Sequence, residues 1–237
     1  MPMERLVSVN DLVLVQGIRD TRRTLADWRR DPLAVVGGWL GWSFLIALAL
    51  LGSVYLIAVK LGPEYSPIVI PGLHRPAEVA DVVHVLYRNG LVLALHAMAC
   101  VAGFIAGSSL PLSAENRTGV SRWIHEKAGP LAIAFVVGAT AFSLITQAYV
   151  LGAGAATLSW QLGVDPAALL AVVSVHALPE LVALFLPLAA WMVASRQGDW
   201  HELLAATFVT LAIAVPVLVV SALVEVYLTP QLLAMLV

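Results

Sequence analysis

Five side chains able to donate, accept or exchange protons interrupt otherwise apolar stretches of this sequence: His96, Gln147, His176, Glu180 and Glu225. An ionisable group in hydrocarbon costs about 2.5–3.5 kcal/mol on insertion scales, so each one demands a partner or a purpose. His176 and Glu180 stand four residues apart, a spacing that puts them on one helix face within touching distance. Between them, Pro179 has no N–H to give and leaves the Val175 carbonyl without its helical donor. A kink is predicted there, with backbone that is buried against protein or lines a cavity. Glu225 falls near the end of the last apolar stretch, within reach of water. Imidazole and carboxylate at overlapping depth can hold a proton, a metal ion or a polar group of a partner. His96 shares a stripe with Cys100, Gly103 and Gly107 and is expected to face protein, where a hydrogen-bonded core histidine is its simplest reading. Thr140, Ser143 and Gln147 form another polar stripe, which structural hydrogen bonds between helices explain most simply.

The elements that position these groups follow from composition. The chain has 237 residues, 60% hydrophobic and 12% charged, with a mean hydropathy of +0.91, which identifies an integral membrane protein. One cysteine excludes a disulfide scaffold, and 13 basic against 15 acidic residues argue against nucleic acid as a partner. Spanning ~30 Å of hydrocarbon takes about 20 helical residues, and the stretches 33–59, 89–110, 129–153, 167–194 and 203–228 qualify. Glu180 and Glu225 are the charged residues inside them. The expected fold is therefore all-α: a polytopic bundle of five transmembrane helices over 33–237, preceded by an N-terminal amphipathic helix within 1–32. Pro130 and Pro166 are expected to open the third and fourth spans, because proline suits the first helical turn.

With the N-terminus in the cytoplasm, Arg5, Arg19, Arg22, Arg23, Arg29, Arg30, Arg117, Arg122, Lys127 and Arg196 lie inside, and Lys60, Arg75 and Arg88 outside. Basic residues resist translocation, so this bias predicts a cytoplasmic N-terminus and an external C-terminus in the cell membrane. Trp28, Trp123, Trp191 and Trp200 fall near the inner boundary. The polar, charged start of the chain predicts no cleavable signal peptide. Leu14, Ile18, Leu25 and Trp28 make an apolar stripe facing away from Arg19, Arg23 and Arg30, which fits either an interfacial helix or one docked on the protein's own loops. The proline-rich external segment 60–88 is expected to be an extended loop with a short helix before the second span.

Two segments, 175-VHALPELVAL-184 and 221-SALVEVYLTP-230, resemble the stage II sporulation protein M family. A histidine and glutamate in one membrane helix, then a last helix closing on glutamate, an aromatic and Thr-Pro, are matched by His176, Glu180, Glu225, Tyr227, Thr229 and Pro230. The stretch 89-NGLVLALHAMACVAGFIAG-107 is similar to that family's asparagine-led, glycine-rich second helix. Ala177 departs from the glycine usual after the histidine, and Asn116 and Gly119 are separated where relatives often have them adjacent. The resemblance implies a non-enzymatic membrane scaffold that anchors envelope-remodelling partners, with no cofactor.

Two other functions are compatible with the same residues. Proline-broken spans around buried ionisable groups also suit a permease-like subunit, which would take its energy from a separate ATPase because no nucleotide-binding motif is present. An intramembrane hydrolase with a metal held by His96, His176, Glu180 and Glu225 is chemically possible, although no H-E-x-x-H or G-x-S-x-G motif occurs. The expected partners are the bilayer and other membrane or envelope proteins. The pairs Gly37/Gly41 and Gly103/Gly107 suit helix packing within one subunit or between two copies.

Overall fold

The computed structural model describes residues 13–64, 66–109 and 119–237, and the side chains of 13–18, 108–129 and 132 fall outside that description. In chain order the elements are α1 (Val13–Trp28), α2 (Pro32–Lys60), α3 (Val79–Phe104) running into a π-helical turn (Ile105–Ser109), and α4 (Gly119–Leu162). After them come α5 (Pro166–Gln197), a 3-10 turn (Trp200–Glu202), α6 (Leu203–Leu223), a second π-helical turn (Val224–Leu228) and α7 (Thr229–Ala234). Among the described residues there is no strand. Five helical stretches, Pro32–Lys60, Val79–Gly107, Ile133–Leu162, Pro166–Gln197 and Trp200–Ala234, are long and apolar enough to cross a membrane. The protein is thus an all-α bundle of the multi-pass kind.

Local chemistry sets the helix ends. Asp31 caps α2 by accepting from the Ala34 N–H at 3.2 Å, and Asp165 caps α5 by accepting from the Ala167 N–H at 2.7 Å, each just before a proline at the first helical position. Gly198, left-handed at φ 81°, closes α5 with its N–H on the Ala194 carbonyl. Two expected starts need correction. Pro130 lies inside α4, which begins at Gly119. The second span begins at Val79 rather than near 89, so the short helix expected before it is its own first turns. The polar Asp81, His84 and Arg88 are helical there because Asp81 takes the Glu78 N–H at 2.9 Å and anchors the start.

The bundle is built around α5, which packs against α2, α3 and α6. From Ala183 to Trp191 every side chain of α5 is buried, and neighbours hydrogen-bond to its backbone in this region. The Ser43 hydroxyl donates to the Val182 carbonyl, His96 Nδ1–H to the Leu184 carbonyl at 2.8 Å, and the Cys100 thiol to the Pro187 carbonyl at 3.1 Å. A carbonyl has two lone pairs, so it can accept a side-chain donor as well as its helical one. Pro187 also removes the donor that the Ala183 carbonyl would have had. Donors from α2 and α3 therefore hold α5 where its own ladder is broken.

The pair Gly103/Gly107 does bring elements close, though the neighbours are indoles rather than backbone. A Cβ at Gly103 would lie 2.7 Å from Trp191 Nε1, and one at Gly107 would lie 2.3 Å from the Trp200 ring. Trp191 is accordingly buried against its neighbours. α1 rests on the 3-10 turn and the start of α6, with Trp28 edge-on to Trp39 at 5.2 Å between centroids. α1 thus touches the bundle at its C-terminal half, while the Leu14 and Ile18 side chains of the apolar stripe lie outside the described residues.

α4 stands aside, packing chiefly on α2, with 11% of its most apolar window buried. Its last turns are held by the 61–78 strap that joins α2 to α3. The Glu64 N–H donates to Thr157 Oγ1 at 3.0 Å and the Ile68 N–H to Gln161 Oε1 at 3.2 Å. The strap then turns at Gly72, left-handed at φ 83°, where a Cβ would lie 2.9 Å from Pro230. Arg75 closes it with a bidentate pair to Asp81, one arm at 3.0 Å, and that carboxylate holds the guanidinium above its ordinary pKa.

Candidate functional site

On the strap side of the bundle Glu180 and Glu225 come within electrostatic range of each other, with His176 one turn away on α5. His176 and Glu180 project from the first half of α5, and Glu225 comes from the second π-helical turn, which packs against α5. His176, 7% exposed, is joined by its Nδ1 to the Thr229 hydroxyl at 2.8 Å, a bond that ties α5 to α7. One turn further along α5, Glu180 lies within electrostatic range of Glu225 and of Arg88, and it faces the Asn89 carboxamide across the α3–α5 interface. Arg88 acts on Glu225 as well. Glu180 Oε2 and Asn89 Nδ2 are both buried, yet neither meets hydrogen-bond geometry with a described residue.

The π-helical turn explains how Glu225 reaches this place. A π turn inserts an extra residue into the helical ladder and rotates the side chains after it, and such bulges are frequent at functional sites. Here the turn separates α6 from α7, so that Glu225 is partly buried while Val226 packs with Val82 and Ala222. Pro230 then starts α7 and receives Gly72 of the strap, whose Cβ would also lie 3.2 Å from the Val226 carbonyl. The strap thus rests within a turn of both Glu225 and Thr229.

His96 and Gln147 are not part of this group. His96 is fully buried and bonded to Leu184, two turns of α5 beyond His176, or ~12 Å at 1.5 Å per residue. Its bond to a helix carbonyl fixes the Nδ1–H tautomer. Nε2 has no hydrogen-bond partner among the described residues, and the imidazole lies tilted by the Phe185 ring at 5.5 Å between centroids. Gln147 donates from Nε2 to Ser143 Oγ at 2.9 Å on its own helix. The polar stripe of α4 is therefore stitched along the helix at that point, in place of the expected bond between helices.

Among the described residues, no three His, Cys, Asp or Glu side chains converge as a metal site. The four-ligand set of His96, His176, Glu180 and Glu225 is not assembled, because Leu184 holds His96 elsewhere and Thr229 occupies His176 Nδ1. The arrangement that is present consists of two carboxyl groups, a carboxamide, a guanidinium at the rim and an imidazole–hydroxyl pair. It can accept hydrogen bonds from an incoming polar or cationic group, or orient a bound one.

Arg88, Asn89 and Thr229 join the site without having been singled out for it. Thr229 and Asn89 each lie in a segment that carries the family resemblance, and Arg88 immediately precedes one. The π-helical turn leaves no comparable trace, since Val224–Leu228 reads as ordinary apolar helix.

No protein-family model matches the chain, and neither the curated proteins nor the solved structures contain a significant match to it.

Proposed function

We propose that this protein is a non-enzymatic membrane assembly subunit, anchoring partner proteins at the cell membrane in the manner of the stage II sporulation protein M family, in cell-envelope remodelling. The N-terminus is cytoplasmic in this reading, which puts the strap and the Glu180 group on the outer side. One contrast carries the proposal. Ser43 and Cys100 are engaged with the α5 backbone and hold helices together, whereas the Glu180 carboxyl and the Asn89 carboxamide face each other beside the strap and Oε2 and Nδ2 complete no hydrogen bond among the described residues. Buried polar atoms left without a partner are costly, so a group that satisfies them on assembly is bound the more tightly. The strap beside them, fastened to Thr157, Gln161 and Asp81, offers a fixed outer platform.

The test is site-specific photocrosslinking in native membranes, with the reactive group at exposed Val69 on the strap. A discrete adduct that disappears in Glu180→Gln supports recruitment through this site. Adducts of equal yield in wild type and variant would remove the carboxylate from the function.

A permease-like subunit is favoured by a different observation, the π-helical turn that carries Glu225 between the proline-broken α6 and Pro230. Discontinuous helices of this kind build substrate sites near buried ionisable groups. Copurification of an ATPase whose hydrolysis is altered by Glu225→Gln would favour that function over anchoring.

A further inference from the structure

The opposite side of the bundle holds a pocket that the Glu180 site does not involve. It measures about 320 Å³ and lies between α1, the start of α2, the end of α5 and the 3-10 turn, with walls that include Trp28, Val35, Trp39 and Val193. Gln197 and Glu202 are its polar lining, and among the described residues Glu202 is the ionisable group that lines it. Asp27 and Asp199 lie within electrostatic range of Glu202, as does His201. Among the described residues, the lining side chains with an ionisable group or an aromatic face are thus a carboxyl and two indoles, both of which attract cations.

The pocket sits where the apolar spans give way to the end of α1, and the exposed Arg29 and Arg30 follow its wall residue Trp28 in the chain, with Arg30 3.8 Å from the Asp27 carboxylate. From these features we infer that it is a binding site for the headgroup of a membrane phospholipid bearing a primary ammonium. The ammonium donates to Glu202 and to Gln197 Oε1 and packs against Trp28. The phosphodiester lies at the rim towards Arg29 and Arg30, and the acyl chains stay in the bilayer. The volume is at the small end for ligand pockets, which suits a headgroup rather than a whole lipid. Charge decides the class: the ionisable group on the pocket wall is Glu202, with Asp199 nearby and Asp27 paired to Arg30, so an anionic headgroup would meet a carboxylate and an ammonium is complementary to it.

The full chain reconstituted into nanodiscs of equimolar phosphatidylethanolamine and phosphatidylglycerol, then released into mild detergent, provides the test, with retained lipids counted by native mass spectrometry. Wild type is expected to retain one phosphatidylethanolamine with about tenfold preference, the ratio that one charge-assisted contact supplies. Glu202→Gln is expected to bring the preference close to unity. In Gly38→Leu the new side chain starts from a position with nothing within 4 Å of the added Cβ, so it fills the pocket and removes retention with thermal stability unchanged. Equal retention of the two lipids by wild type, or an undiminished preference in Glu202→Gln, overturns the inference. Displacement of the lipid by free phosphoethanolamine also overturns it, since the ligand would then be a soluble amine.

Discussion

Replacing Glu180 by glutamine exchanges a carboxyl for a carboxamide with almost no change in shape, so the effects on stability and on recruitment can be worked out separately. Glu180 Oε2 has no hydrogen-bond partner among the described residues, so no bond at that atom is lost. The attraction to Arg88 is lost, but Arg88 is exposed, and such pairs contribute about 0–1 kcal/mol. Removing a like charge from the neighbourhood of Glu225 acts in the opposite direction. Bonds made by polar side chains within membranes average only ~0.6 kcal/mol, so the amide gains or loses little. The expected stability change is within about 1 kcal/mol, or roughly 2–4 °C in Tm for a chain of this size. A partner held by a charge-assisted bond to the carboxylate loses about 1.5–3 kcal/mol, which lowers its occupancy roughly tenfold or more. Thermal unfolding in detergent and the yield of the Val69 crosslink, measured on the same preparations, check both halves. A fall in Tm beyond about 10 °C would show that Glu180 holds the bundle together, and an unchanged yield would show that recruitment does not use it.

Other substitutions test the surrounding structure. His176→Ala removes the bond to Thr229 from a buried position, and it should cost about 2 kcal/mol, seen as a clearly lower Tm than that of Glu180→Gln. Gly103→Ala places a Cβ 2.7–2.9 Å from Trp191 and Leu203, so overpacking of about 1–3 kcal/mol outweighs its gain in helix propensity. Gly37→Ala, with nothing within 4 Å, should be neutral or stabilising in the same melt. Gly72→Ala combines a positive φ with contact against Pro230, and it should loosen the strap, measured as faster hydrogen exchange at the Glu64 and Ile68 amides. In a Cys100→Ala background, a cysteine at exposed Ser66 should react with an impermeant thiol reagent on intact cells and one at exposed Gln197 should not; the reverse pattern would invert the topology.

How much of this was legible in the sequence depended on whether the cause was local. The start of α5 was, because Pro166 acts within a turn of itself, and so was the shared helix face of His176 and Glu180, because four residues make about one helical turn, although the bond His176 makes is to Thr229. The start of α3 was obscured: a short helix was expected before the second span, but the polarity of Asp81, His84 and Arg88 hid that it runs unbroken into the span, anchored by the bonding of Asp81 to Glu78 and Arg75. Pro130 suggested a helix start, yet its missing donor is tolerated inside α4. His96 and Gln147 were separated from the site by tertiary facts, namely that α3 meets α5 at Leu184 and that α4 lies against α2 rather than against the centre of the bundle. Small residues signalled close packing at Gly103 and Gly107, but their spacing carried no information about whether backbone or an indole would fill the space.

The two bonds from the strap to Thr157 and Gln161 have a mechanical consequence. Lipid tails are as apolar as the flank of α4, so no hydrophobic force presses that helix inward. Its position is set by contact with α2 and by the amides of Glu64 and Ile68 at its far end. The strap's next fixed point is Gly72 on Pro230, beside the turn that carries Glu225. The strap is in effect a tie-rod between the most loosely held helix and the polar site. A sideways pull on α4, from a neighbouring membrane protein or from a change in bilayer thickness, would be delivered through it to Glu225.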